Sequence, residues 1–273
     1  MSKLKYSIFV NSSDGFIDCW PPFFILLKKY WPHNIPTIYL NTENIICNDP
    51  NIKTISTQVN IGNAKIKRLS WSECFIRGLN KVHTPIILYL QEDYFIESTI
   101  NVDLIESLVE KMLNDYSIKH IGLTNYGSCG PFTNTDDNML WKISDNSKYR
   151  ISCQAGLWRK DALINYLIPD ENAWMFEIFG TKRASRKKEL FLTVSREING
   201  SSNFPSIIKY TPTGIVKGRW QVFIPKLFNE HGINLNYGIR GFYEEPTFIF
   251  RKFGVFKKLI VKPSLLIRYI FSS

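Results

Sequence analysis

The sequence has no long hydrophobic run. No window approaches the roughly 20 apolar residues of a membrane-spanning helix, so the chain reads as soluble or peripheral. Its five cysteines, Cys19, Cys47, Cys74, Cys129 and Cys153, include neither a C-x-x-C pair nor the spacing of a zinc site, and they read as thiols in a reducing compartment. The four histidines (His33, His83, His120, His231) form no ligand cluster by spacing. Neither a G-x-S-x-G elbow nor a P-loop occurs, which leaves serine hydrolase and P-loop NTPase chemistry without support. Internal repeats and low-complexity segments are also missing. The opening "MSKLKYSIFV" has lysines and a short apolar run, but "NSSDG" interrupts it too early for a secretory signal, so it reads as the first strand of a cytoplasmic protein.

What is present is an ordinary globular composition. The 273 residues are 44% apolar and 21% charged, enough to bury a substantial core. A formal net charge of +10 suggests an anionic partner, whether nucleic acid, a nucleotide diphosphate or an acidic membrane surface. Residues 6–10 read as a strand, "DCWPPFFILLKKYW" as a helix, residues 36–40 as a second strand and residues 52–56 as a third. "SWSECFIRGLNKVH" carries Ser70 and Glu73 at capping-box spacing ahead of an apolar face, which predicts a helix. "TPIILYL" is apolar at nearly every residue, the pattern of a strand buried on both faces. Further along, Asn101 caps a helix, "HIGLTNY" reads as strand, "GSCGPFTNTDDN" as loop and residues 151–158 as strand. "KDALINYL" and "NAWMFEIFGTKRASRK" read as helices, the second capped by Asn172. The alternation predicts an α/β fold with a mostly parallel sheet and helices on both faces.

The apolar strand runs directly into Glu92 and Asp93 in "LYLQEDYF". The carboxyl end of an interior strand is where open α/β sheets bind ligands. Two acids there hold a divalent metal, move a proton, or only meet solvent. Neighbouring side chains on an extended strand point to opposite faces, so both acids reach one site only if the chain turns at that point. A hard cation such as Mg²⁺ or Mn²⁺ takes oxygen from one or two carboxylates and the rest from phosphates and water.

The order strand, polar loop, helix, "PTIYLNTEN", helix, "IILYLQEDYF" resembles the nucleotide-sugar half of a GT-A-fold glycosyltransferase, with "QEDYF" at the place of that family's D-x-D or x-D-D motif. "QAGLWRKDALINYL" and "ENAWMFEIFG" resemble the acceptor half of bacterial surface-polysaccharide (lipopolysaccharide or capsule) transferases. The resemblance implies a GT-A-like domain over residues 1–245, with the donor half at about 1–125 and the acceptor half at about 126–245. It implies a nucleotide-diphosphate sugar as donor, Mn²⁺ or Mg²⁺ held by Asp93 and Glu92, and base and ribose near Ser12, Ser13, Asp14, Thr42 and Glu43. Glu92 stands where aspartate is commoner in that family, and some of its members work without a metal. Glu177 matches the acid after a tryptophan, here Trp174, in the acceptor helix of inverting members, and is the candidate general base. Lys217 and Arg219, between glycines in "TGIVKGRWQ", would meet the leaving diphosphate from a flexible loop, and His231 lies where some members supply a late metal or phosphate ligand.

The last segment carries six basic residues and no acid, interleaved with apolar ones. Residues 248–273 therefore suggest contact with an anionic membrane, placing a lipid-linked or free glycan acceptor at its cytoplasmic face; packing onto the domain is the plain alternative, and nucleic acid is not expected. Two other functions compete with glycosyl transfer: a sugar nucleotidyltransferase, whose glycine-rich signature "VNSSDGF" lacks, and a non-catalytic basic module binding polyanions.

Overall fold

The computed structural model of the chain describes residues 5–58 and 68–245. It comprises two compact units, Met1–Pro212 and Thr213–Ser273. The boundary expected at residue 245 falls inside the second unit, and the basic segment 248–273 lies outside the described residues. Among the described residues no helix is long and apolar enough to cross a membrane.

The first unit is built on a nine-stranded sheet. Its strands are β1 (Tyr6–Asn11), β2 (Ile38–Thr42), β3 (Ile52–Ser56), β4 (Ile86–Gln91), β5 (Ile118–Gly122), β6 (Phe132–Asn134), β7 (Leu140–Ile143), β8 (Gly156–Arg159) and β9 (Leu190–Val194). Its helices are α1 (Trp20–Tyr30), α2 (Trp71–Leu79), α3 (Val102–Asn114), α4 (Lys160–Tyr166) and α5 (Ala173–Arg186). In space the strands run β3-β2-β1-β4-β8-β5-β9-β7-β6. Only β8 and β7 run against the rest, pairing antiparallel with both their neighbours. The expected mostly parallel α/β sheet of GT-A-like form is thus present, with a reversed strand wedged between β4 and β5. Residues 151–158, expected as strand, contribute only their last part to it, and the polar stretch expected as loop contains the edge strand β6.

Local sequence explains the helix starts. Ser70 and Glu73 close the capping box in both directions: the Ser70 hydroxyl accepts from the Glu73 N–H at 3.2 Å and the Glu73 carboxylate accepts from the Ser70 N–H at 2.7 Å. The Asn101 and Asn172 side chains accept from the N–H groups of Leu104 and Met175 and start α3 and α5. On one face of the sheet Phe9, Tyr39, Ile87, Tyr89, Trp158 and Phe191 bury against Phe75 and Leu79 of α2, Leu163 and Tyr166 of α4, and Phe176 and Ala184 of α5. Helix α3 packs on β4 and β5 with Ile105, Leu108, Val109 and Met112, none of which belongs to that cluster, so it covers the other face. Burying each such Leu, Ile or Phe contributes about 1.5–3 kcal/mol.

The reversed strand enters through a tight contact. A Cβ added to Gly156 would lie 2.6 Å from Nε2 of buried His120 and 3.1 Å from the Ile121 carbonyl oxygen. Neither atom can swing away, because one belongs to a packed ring and the other to the backbone of β5. Gly156→Ala is therefore expected to destabilise the protein by about 1–3 kcal/mol as an overpacking change. A urea unfolding midpoint that does not fall would contradict this.

The second unit contains a hairpin of β10 (Ile215–Val216) and β11 (Arg219–Trp220), followed by α6 (Ile224–Asn229). Its turn is Lys217 and Gly218 at φ of +50° and +78°, the pair of positive values that a two-residue type I′ turn requires. The sequence suggests a flexible loop here; the backbone instead forms a short, twisted turn in which Gly218 takes the conformation that L side chains rarely adopt. Arg219 is exposed and the Lys217 ammonium lies 5.6 Å from the centre of the Tyr243 ring. His231 Nδ1 lies 2.8 Å from the Leu227 carbonyl oxygen.

Candidate active site

Strand register brings the expected site segments to one edge. Asn11 pairs with Asn41 on one side and with Gln91 on the other, so residues 12–14, 42–43 and 92–93 all leave the sheet at its carboxyl rim. Neighbouring strands are about 4.8 Å apart, which puts the β2 and β4 exits roughly 10 Å from each other. The chain does turn at the acids. The Tyr94 N–H donates to the Gln91 carbonyl at 3.2 Å, with Glu92 and Asp93 at the two central positions of the turn. The strict alternation of a strand ends there, so the adjacent carboxylates need not face opposite sides.

Both acids are buried, and their charges act on three tyrosines, Tyr89, Tyr94 and Tyr210. Tyr94 stacks on Tyr210 with ring centres 4.6 Å apart. Burial pushes both phenols up, and the charge of Asp93 adds to the effect. Glu92 acts in the same sense on Tyr89, again after burial. The Tyr94 hydroxyl donates to the Cys153 carbonyl at 2.7 Å, and the Tyr210 hydroxyl donates to Gln154 Oε1 at 2.9 Å while accepting from the Ala155 N–H at 3.0 Å. The segment 153–155, which leads into β8, is thereby fastened to the acidic turn.

Glu177 meets the same segment from α5. Its Oε1 accepts from the Cys153 N–H at 2.8 Å and from the Ser152 hydroxyl at 3.3 Å. Burial raises the Glu177 carboxyl above its ordinary value, against the lowering effect of those two hydrogen bonds. A buried carboxylate of raised proton affinity is suited to accept a proton. The Cys153 thiol is itself pushed up by burial and then by the Glu177 charge.

Ser12, Asp14, Thr42 and Glu43 also come together, but largely as partners of one another. The Asp14 carboxylate accepts from the backbone N–H groups of Glu43, Asn44 and Ile45 at 3.1 Å, and Glu43 accepts from the Asp14 N–H at 3.0 Å and from Arg68 at 2.5 Å. Burial alone would raise the Asp14 carboxyl; the backbone donors and the Asn44 amide outweigh it and hold the group below its usual value. Ser12 accepts from the Trp20 indole at 2.8 Å, and Thr42 donates to the Ile45 carbonyl at 2.8 Å. These bonds fix the shape of the rim where β1 and β2 end.

Among the described residues no group of three or more His, Cys, Asp or Glu is arranged to hold a metal ion. Two adjacent carboxylates in a turn have the chemistry of ligands for a hard cation that takes its remaining oxygens from phosphate and water. The residues that sequence reasoning missed are Tyr94, Ser152, Gln154 and Tyr210. Tyr94 adjoins the acids in sequence, but the others are distant and only the folded chain brings them there.

The sheet and its rim define an α/β protein of GT-A-like architecture. No family model matches the sequence, and no curated protein matches it either. Similar solved structures include S. aureus TarS 1–349, at 14% identity and TM-score 0.45 over 70% of this chain and 58% of that one. The same TarS fragment in complex with UDP-GlcNAc aligns at 13% identity and TM-score 0.40 over 69% of this chain and 58% of that one. CMP:2-keto-3-deoxy-manno-octonic acid synthetase complexed with CTP aligns at 14% identity and TM-score 0.39 over 69% and 88% of the two chains. The chain thus spans under two thirds of the TarS fragment.

Proposed function

We propose that the chain is a glycosyltransferase that moves a sugar from a nucleoside diphosphate to the hydroxyl of a surface glycan, with inversion and with the help of a divalent cation. The observation that supports this best is the double tie through Cys153. Its N–H donates to Glu177 at 2.8 Å and its carbonyl accepts from Tyr94 at 2.7 Å, so one peptide segment holds both a basic carboxylate and the acidic turn. Glu177 takes the proton of the acceptor hydroxyl, and the ring of Trp174, on the same helix, shields the reacting sugar from water. Asp93 and Glu92 are the carboxylates that would hold Mn²⁺ or Mg²⁺, which when bound neutralises charge on the diphosphate. Ser12, Asp14 and Glu43, locked to their neighbours, shape the rim that receives base and ribose.

Thermal unfolding of the full chain with UDP, GDP, CDP and CTP, each with and without Mn²⁺, tests this reading. A nucleoside diphosphate is expected to raise Tm, and Mn²⁺ to enlarge the rise while doing little alone. At a hundred times Kd the stabilisation is about 2.7 kcal/mol. No shift with any diphosphate would refute the proposal. A shift with CTP alone, accompanied by turnover of a sugar phosphate, would replace it with nucleotidyl transfer.

A further inference from the structure

The rim continues past the acids to a second, polar cleft. Tyr89, Gly156, Gly122, Thr193, Trp141 and Asn134 pair in one unbroken row across β4, β8, β5, β9, β7 and β6. Trp141 and Asn134 therefore stand level with Tyr89, and the chain just beyond them reaches the same carboxyl edge as Glu92 and Asp93. A cavity of about 400 Å³ elsewhere, against α1, is walled mostly by apolar side chains such as Trp20, Phe24 and Ile25. The rim cleft, of about 220 Å³, is of the opposite character: its lining includes Asn134, Asn138, Trp141 and Glu197. At about 4.8 Å per strand interval, its lining lies roughly 14–24 Å from the end of β4.

The chemistry of the lining restricts its occupant. Asp137, also in the wall, is already neutralised by the Lys111 ammonium at 2.8 Å and accepts from the Met139 N–H at 3.0 Å. Among the described residues, the side-chain amides of Asn134 and Asn138 and the Glu197 carboxylate have no hydrogen-bond partner, so their capacity is open to a ligand. The lining itself contains no Lys or Arg, and Glu197 leaves it one carboxylate with no ion pair among the described residues, which disfavours phosphate and carboxylate. Two carboxamides and a carboxylate together offer donors and acceptors to adjacent hydroxyls. Trp141, half-buried and stacked on Phe132 at 5.3 Å, adds an aromatic surface for the C–H face of a ring.

We propose that this cleft is an acceptor subsite that binds an uncharged sugar unit of the glycan, a few units away from the one that receives the transferred sugar. The assignment rests on the glycosyltransferase reading, and it adds the substrate class that the far end of the rim selects: a neutral oligosaccharide and not an anionic one.

The test is saturation-transfer difference NMR on the full chain with neutral di- and trisaccharides of glucose, galactose, mannose, rhamnose and N-acetylglucosamine. It is run on the wild type and on Glu197→Gln, Asn138→Ala and Trp141→Ala, with UDP binding measured in parallel. Glu197 and Asn138 are exposed, so their variants keep the fold even if Trp141→Ala does not. At least one oligosaccharide is expected to bind the wild type, with affinity about tenfold lower in Glu197→Gln and Asn138→Ala and unchanged for UDP. In the transfer assay the same variants raise the acceptor KM and leave kcat unaltered. Undiminished binding in both variants, or no binding of any member of the panel to a wild type that still binds UDP, overturns the subsite and leaves the transferase proposal standing. Oligosaccharide binding that the variants weaken, in a protein that binds no nucleotide, supports the sugar site and removes the transferase reading.

Discussion

Replacing Glu177 by glutamine is expected to lower the transfer rate by about a hundredfold to ten-thousandfold, the range in which a positioned general base contributes, and to make the protein more stable at neutral pH. Glutamine retains the carbonyl oxygen that accepts from Cys153 and Ser152, so α5 stays fastened to the segment before β8 and only the proposed proton acceptor is lost. The stability change has the opposite sign to the activity change because burial raises the folded-state pKa of this carboxyl above its ordinary 4.5. A raised carboxyl binds its proton more tightly in the folded chain than in the unfolded one. Its favourable contribution is complete below the unfolded value and disappears as pH rises through the folded value, leaving an ionised group in a site that disfavours it. The Tm of Glu177→Gln should therefore exceed that of the wild type at pH 7 and converge on it near pH 4. The acidic limb of the wild-type kcat/KM profile should vanish in the variant. Full activity in Glu177→Gln, or a Tm difference independent of pH, would remove Glu177 from the mechanism.

The parts of this architecture that were legible in the sequence are those written in contiguous residues. The Ser70 and Glu73 pair specifies both ends of two reciprocal hydrogen bonds, and α2 begins where it predicts. Asn101 and Asn172 cap the helices expected of them. The all-apolar run of β4 announces an interior strand, and the acids at its end follow from that. What sequence could not supply is direction and distance. β8 is four residues long and inserts antiparallel between two strands that precede it by more than thirty residues, which no local pattern encodes. β6 is a three-residue edge strand of half-buried and exposed residues, the short and polar form that edge strands take, and it was hidden in what reads as loop. β9 has four apolar residues in five, but so short an apolar run does not by itself distinguish a strand from part of a helix. The same limit applies to the site: Tyr210 stacks on Tyr94 across more than a hundred residues, brought there by an isolated antiparallel bridge to Ile96 outside the sheet.

Acidification to pH 4 is expected to cost the protein about 3 kcal/mol through His120 alone. The ring is buried in β5, with its centre 4.3 Å from that of Trp158 and 5.8 Å from that of Phe191, and its Nδ1 has no hydrogen-bond partner among the described residues. Removal from water is the cause that lowers its pKa from 6.5 to about 3. An unfolded chain protonates this histidine as pH drops below 6.5, whereas the folded chain keeps it neutral until about 3. Across that window the unfolded state binds more protons, so stability falls as pH falls, by about 1.4 kcal/mol per unit. His120→Leu removes the group from the titration and fills the same apolar pocket with a somewhat smaller side chain. Its stability should fall less steeply between pH 6.5 and 4 than that of the wild type, even if packing lowers the value at neutral pH. The measurement is the urea midpoint and m-value of both proteins at several pH values. Parallel curves would show that the ring is protonated within the fold, and would contradict the dry environment that the packing of β5, β8 and β9 creates around it.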